Sequence, residues 1–325
     1  MPPIFAVTIP FFALVAMGYA AAHRRLLPES AIPGLNAFVL WFALPAMLFR
    51  FGMTTPIGQL LNPTVLVISL VASLAIVGFT LVVTLSPRVA MKDAAFGALV
   101  AAFPNTGFMG VPLLTALLGA AAAGPVICAL LIDLFVTTSL CIALAQAHDA
   151  VGSGGTARAA LKRALGGALS NPLPWSIALG AACSVVGFKL GGPLATIVDM
   201  LANAASPVAL FTIGAVLWRA GQHAHTRTPL ALVVPVVAIK LFVHPFAVFA
   251  LAAAARALGA PLGTFEAGVL VLAAALPSAS NVSLLAERYG ADNGRVARII
   301  LGSTAAAFVT FTLFASLLRA APMAA

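Results

Sequence analysis

The chain has 325 residues, 62% apolar and 8% charged, with 17 basic against 8 acidic side chains and a formal net charge of +9. An ordinary soluble domain is about half apolar and about a quarter charged. This composition therefore cannot coat a water-soluble globule, which excludes a soluble enzyme or a nucleic-acid-binding domain. At about 20 apolar residues per spanning helix, the expected class is an all-α integral membrane protein with very little chain outside the bilayer.

Apolar stretches of spanning length fall at 3–22, 32–51, 64–86, 93–118, 124–146, 172–190, 195–218, 229–254, 264–286 and 296–319, ten segments in all. The first opens Met1-Pro2-Pro3-Ile4, without the basic region and small-residue cleavage site of a secretory signal. It is expected to be retained as the first spanning helix. The connections after the odd-numbered segments hold 12 of the 17 basic residues, among them Arg24, Arg25, Arg158, Lys162, Arg163, Arg295 and Arg298. Basic residues collect on the cytoplasmic side, so a multi-pass protein of the cytoplasmic (inner) membrane is expected, with both termini on the non-cytoplasmic side. The same bias accounts for the net charge without a phosphate-binding patch, so no nucleic-acid partner is expected.

The longest connection, 147–171, opens with Gly152-Ser153-Gly154-Gly155, a flexible linker by composition. It continues through 158–169 with apolar residues at helical spacing among Arg158, Lys162 and Arg163, a pattern for a short helix on the lipid surface. The Gly run lacks the Lys-Ser/Thr ending of a phosphate loop. Cys128, Cys141 and Cys183 lie in apolar runs, and His223 and His225 have no third ligand nearby. Neither a metal nor a cofactor is expected.

That connection also divides the chain in half, and the halves resemble each other. Residues 43–52 (ALPAMLFRFG) and 205–214 (ASPVALFTIG) agree at five of ten positions, pairing Pro45 with Pro207 at an offset of 162. Ala101–Pro104 resembles Ala274–Pro277 at an offset of 173. Five segments per copy is an odd number, so the second copy must enter the membrane upside down, the inverted-repeat plan of many secondary transporters. The expected division is 1–146 as the first five-helix repeat, 147–171 as linker and 172–325 as the second, inverted repeat.

Segment four reads Pro104-Asn105-Thr106-Gly107-Phe108-Met109-Gly110-Val111-Pro112, and segment nine Pro277-Ser278-Ala279-Ser280-Asn281. Proline removes a backbone donor and crowds the preceding turn, so breaks are expected at Pro104 and Pro277, with Pro45 and Pro207 as further candidate interruptions. Broken helices at membrane depth survive where protein or a water-filled cavity meets their free backbone groups. The half-helix after a break offers amides and a positive dipole end to an anion. Asn105, Thr106, Gly107, Ser278, Ser280 and Asn281 are therefore the candidate substrate-binding residues. Two proline kinks softened by Ser and Thr would leave the same signature in either segment alone.

The residues Leu35–Gly52 (LNAFVLWFALPAMLFRFG), Pro104-Asn105-Thr106-Gly107 with Pro112, and Leu276–Gly290 (LPSASNVSLLAERYG) resemble the auxin efflux carrier family. The short central connection resembles that of bacterial members such as malonate transporters. The resemblance implies a scaffold of segments one, two, six and seven and a mobile domain of segments three to five and eight to ten. It also implies crossed breaks in segments four and nine, and a small carboxylate as substrate. The Pro-Asn pair of segment four is not repeated in segment nine, where the Asn comes only at 281.

Ionisable residues inside the membrane are costly and usually face a bundle interior or a water-filled pathway. Asp133 lies mid-segment five; Lys240 and His244 lie in segment eight, four residues apart and so on one face. Two readings stand: a coupling group that exchanges protons, or a structural pair pinning two helices. Arg50 closes the repeat motif of segment two and could meet a substrate carboxylate or anchor the helix end by snorkelling. Asp199 and Glu266, near segment ends, read as solvated at the interface.

The expected function is a secondary transporter moving a small mono- or dicarboxylate by alternating access. A proton or a sodium ion is open as its coupling partner, and a homodimer is compatible with so uniform a composition. The competing readings are a sodium-coupled symporter or cation/proton exchanger of the same crossed-helix plan, which would favour paired acidic residues at the crossing, and a membrane receptor without transport. An enzyme is not expected, since no nucleophile–base set, His-x-x-x-His or carboxylate pair lies within the segments.

Overall fold

The computed structural model describes residues 2–153, 166, 169–222 and 228–320, and among them the secondary structure is helical. The Gly154-Gly155 linker, most of the expected surface helix at 158–169, and His223 and His225 lie outside the described residues. The helices are α1 Pro2–His23, α2 Glu29–Thr54, α3 Pro63–Thr84, α4 Met91–Ala102, α5 Thr106–Leu118, α6 Ala120–Gln146, α7 Pro172–Val185, α8 Gly192–Gln222, α9 Leu230–Ala257, α10 Thr264–Ala274, α11 Val282–Arg288 and α12 Asn293–Ala320. Asn62 and Asn171 cap α3 and α7 with their side chains, each followed by a proline at the first helical position, where its missing N–H costs nothing.

Seven of the ten sequence segments form helices long and apolar enough to cross a membrane. The other three are built from shorter pieces. Segment four is split into α4 and α5, segment nine into α10 and α11, and segment six is the 14-residue α7.

α1 packs along α8, and α2 along α7, through glycines that let the backbones touch. A Cβ on Gly18 would strike the Phe211 carbonyl and one on Gly214 the Val15 carbonyl. A Cβ on Gly180 would strike the Phe49 carbonyl, and one on Gly52 would come within 2.7 Å of the Ile177 carbonyl. Gly18 and Gly180 are 162 residues apart, and so are Gly52 and Gly214, the spacing of the sequence match. Such close approach of small residues is how membrane helices gain packing energy where lipid is as apolar as leucine.

The helices do not break at every proline. α2 continues through Pro45 and α8 through Pro207, contrary to expectation. In α2 a π-turn, Val39–Ala43, comes just before Pro45, and the Leu44 N–H reaches back five residues to Val39. The wider turn re-registers the chain so that the proline ring meets less of the preceding turn. Thr106–Gly110 before Pro112 and Ile239–Val243 before Pro245 repeat the device. α8 carries Pro207 within 31 continuous residues, since one missing hydrogen bond is held by the turns on either side. A fourth π-turn, Asp133–Thr137, has no proline after it; there the Thr138 hydroxyl donates to the Asp133 carbonyl at 2.7 Å.

Candidate functional site

The breaks at Pro104 and Pro277 meet at the middle of the molecule. Residues 103–105 and 277–279 run antiparallel there, with Pro104 opposite Ser278. Asn105 N–H donates to the Pro277 carbonyl at 2.8 Å and Ala279 N–H to the Phe103 carbonyl at 3.0 Å. The backbone groups that a break frees thus satisfy one another, as they must away from water. This register differs by one residue from the sequence match, which set Pro104 against Pro277. In the structure the counterpart of Asn105 is Ala279.

The two sides of the crossing are therefore chemically unequal. Asn105 is 3% exposed, and its side-chain amide takes no hydrogen bond among the described residues. Ser280 and Asn281 flank the other break with side chains equally unengaged, while Asn281 is half-buried. Ser278 and Thr106 are fully buried and turned inward. The Ser278 hydroxyl donates to the Val100 carbonyl at 2.7 Å, and the Thr106 hydroxyl faces the Pro104 carbonyl at 3.4 Å. Gly107 lies at the start of α5, 3.7 Å from Leu130 by its notional Cβ, which is ordinary contact.

Beside the crossing, Asp133 of α6 and Lys240 of α9 are buried, each within a π-turn, an irregularity frequent at functional sites. Lys240 Nζ donates to the Ala274 carbonyl at 2.7 Å, at the C-terminal end of α10, and lies 3.2 Å from His244 Nδ1. Since an ammonium has no lone pair, the ring nitrogen accepts. Asp133 takes longer contacts from the Ser73 hydroxyl at 3.4 Å and the Thr137 hydroxyl at 3.3 Å. It faces Lys240 within Coulombic reach, without a direct ion pair. A cavity of about 20 Å³ beside Asp133 is lined by Ser69, Ser73, Pro104, Asp133, His244 and Ala274, room for one water. The Ser69 hydroxyl lining it is buried and unpartnered, which is what an ordered water would satisfy.

Arg50 lies away from this centre. Its Nη1 pairs with Asp199 Oδ1 at 3.2 Å and donates to Asn203 Oδ1 at 2.9 Å, clasping α2 to α8. Asp199, expected to be merely solvated, is that partner. Sequence reasoning also missed a cluster at the head of α12. Arg295 is 2% exposed and donates to the Leu232 and Asp93 carbonyls at 3.1 and 2.9 Å. Asp292 caps α12 through the Arg295 N–H at 2.9 Å, and its own N–H donates to Asp93 Oδ1 at 2.7 Å. Arg298 donates to the Thr228 carbonyl at 2.7 Å. Arg295 and Arg298 thus join α4, α9 and α12 as well as contributing to the charge bias. The one sequence signal was an acidic cap three residues before an arginine.

No cluster of metal-ligating side chains exists among the described residues. A family profile described as "Membrane transport protein" matches residues 3–315. A "Putative malonate transporter" of Rhizobium meliloti (strain 1021) is 30% identical over 329 residues, covering 100% of this chain and 99% of that protein. An "Uncharacterized transporter YfdV" of Escherichia coli (strain K12) is 26% identical over 285 residues, covering 86% of this chain and 87% of its own. These relatives are transporters and not enzymes, and the resemblance read from the motifs is borne out. By the span of that match and the apolar helices it covers, the chain belongs to the membrane transport protein family, the auxin efflux carriers, as a multi-pass membrane protein.

Proposed function

We propose that the protein is a secondary transporter that carries a small mono- or dicarboxylate across the cytoplasmic membrane by alternating access. The observation that carries this reading is the unengaged Asn105 amide at a crossing of two broken helices. An amide that no group among the described residues engages, on a residue only 3% exposed, is free to serve a ligand at the crossing. At the start of α5 it stands beside backbone N–H groups and the positive end of a helix, which suit a carboxylate. On this reading Asn105, Gly107, Ser280 and Asn281 line the substrate position, while Thr106 and Ser278 hold the crossing together.

The same reading takes the chain as ten spanning segments in two inverted halves, 1–146 and 172–325, with both termini outside the cytoplasm. The equal spacing of the two glycine crossings supports it, as does the near-twofold pairing of residues 103–105 with 277–279. The relative named for malonate supports a carboxylate substrate. Coupling runs through protonation of Asp133, with Lys240 and His244 beside it in support, and Arg50 belongs to the scaffold clasp.

The test is uptake into proteoliposomes of radiolabelled malonate, succinate, lactate and indole-3-acetate, with and without an imposed proton gradient. Saturable uptake of one of them, driven by the gradient and lost in Asn105→Ala, is expected. Folded protein that moves none of them under either condition refutes the reading.

A further inference from the structure

The two half-helices that end at the crossing are closed by different groups. In the register that sets Pro104 against Ser278, Val100 of α4 corresponds to Ala274 of α10. The Val100 carbonyl receives the Ser278 hydroxyl. By the same geometry the Ala274 carbonyl would look to residue 104, but a proline has neither hydroxyl nor N–H to give. Lys240 Nζ reaches in from α9 and takes that place at 2.7 Å.

Three groups with negative charge or a lone pair surround the Nζ. The end of α10 carries the partial negative charge of a helix C-terminus, His244 Nδ1 accepts from the ammonium, and Asp133 faces it from α6. A carbonyl oxygen, an imidazole nitrogen and a nearby carboxylate beside a water-sized cavity form a donor set for a monovalent cation. The cation standing in it is part of the chain.

We propose that Lys240 Nζ is a tethered monovalent cation filling the site at the broken end of α10, so that the protein needs no sodium or potassium there. The consequence for coupling rests on the transporter reading. The occupancy of the site does not, and is measured separately.

The experiment uses the full chain, purified in detergent and reconstituted. Lys240→Ala vacates the site; Lys240→Met fills its volume without charge. In detergent, millimolar methylammonium or ammonium is expected to raise the melting temperature of Lys240→Ala while leaving wild type and Lys240→Met unmoved, and choline, too large for the vacancy, is expected to do nothing. In proteoliposomes, wild-type carboxylate uptake is expected to be equal in sodium, potassium and choline buffers. Uptake by Lys240→Ala should fall about tenfold or more, the loss given by one charged hydrogen bond, and recover in part with methylammonium. If Lys240→Ala folds only when expressed with methylammonium, that too supports the proposal. A melting temperature of Lys240→Ala indifferent to every small cation overturns it, as does Lys240→Met with wild-type uptake or a sodium requirement in the wild type. Absence of carboxylate uptake in the wild type would refute the transporter reading alone, because the melting shifts stand without it.

Discussion

Asn105→Ala separates a residue that serves a ligand from one that serves the fold. Asn105 is 3% exposed and its side-chain amide takes no hydrogen bond among the described residues. Truncation therefore breaks no bond of the fold and removes the packing of one small side chain, so stability is expected to stay within about 1 kcal/mol of wild type. Transport should behave otherwise. A hydrogen bond to a charged group is worth about 1.5–3 kcal/mol, so losing one to a carboxylate lowers uptake about 10- to 150-fold. Ser278→Ala is the contrast. It removes a 2.7 Å bond and strands the Val100 carbonyl, at about 0.5–2 kcal/mol in a membrane setting. The assays are thermal unfolding in detergent, followed by intrinsic fluorescence, and initial uptake rates at several substrate concentrations. A variant Asn105→Ala that melts as early as Ser278→Ala and still transports would show that the amide supports structure, and the site argument would fall.

Gly214→Ala drives a methyl into the Val15 carbonyl and should cost about 1–3 kcal/mol. Gly78→Ala, with nothing within 4 Å of its notional Cβ, should melt like wild type; equal melting of the two variants would count against backbone contact between α1 and α8. Arg295→Met leaves the Asp93 and Leu232 carbonyls without their donor and exposes Asp93 and Asp292 to each other uncompensated. A loss of about 3 kcal/mol or more is expected, read as a lower melting temperature and reduced yield in the membrane fraction. The orientation is tested by terminal fusions: alkaline phosphatase at the C-terminus should be active and a fluorescent protein there dark, and the reverse pattern would invert the assignment.

The helices, their membrane character and the place of the two central breaks were legible because each rests on local chemistry. Long apolar runs bounded by charge can only be helices in lipid, and Pro104 and Pro277 stand among small polar residues that can meet freed backbone groups. What was not legible depends on partners distant in sequence. Pro45 and Pro207 are prolines within apolar segments as Pro104 is, yet α2 absorbs Pro45 in a π-turn and α8 runs through Pro207. Residues 101–104 match 274–277 as letters, but the backbone pairing sets Pro104 against Ser278, because register at a crossing is decided by which carbonyls need donors. Arg295 and Arg298 counted as charges near a membrane face; that Arg295 is buried against Asp93, some 200 residues earlier, leaves no trace around Asp93 and only the Asp292 cap before Arg295. Asp199 looked solvated at a segment end and Arg50 read as a substrate contact or a snorkelling anchor, yet the two are partners across α2 and α8.

The glycine crossings bear on where this molecule can change shape. Most helix contacts adjust by exchanging side-chain rotamers, so two helices can slide a little and find another fit. Where Gly18 and Gly214 join α1 to α8, and Gly52 and Gly180 join α2 to α7, backbone lies on backbone. No rotamers are available at those points to absorb a displacement. A shift of about 1 Å would open a gap or a collision at once, since close-packed contacts lose a large part of their attraction over that distance. These joints behave as rivets rather than bearings. Deformation is left to contacts made through flexible side chains, so a change of shape in this molecule is expected to spare these two joints.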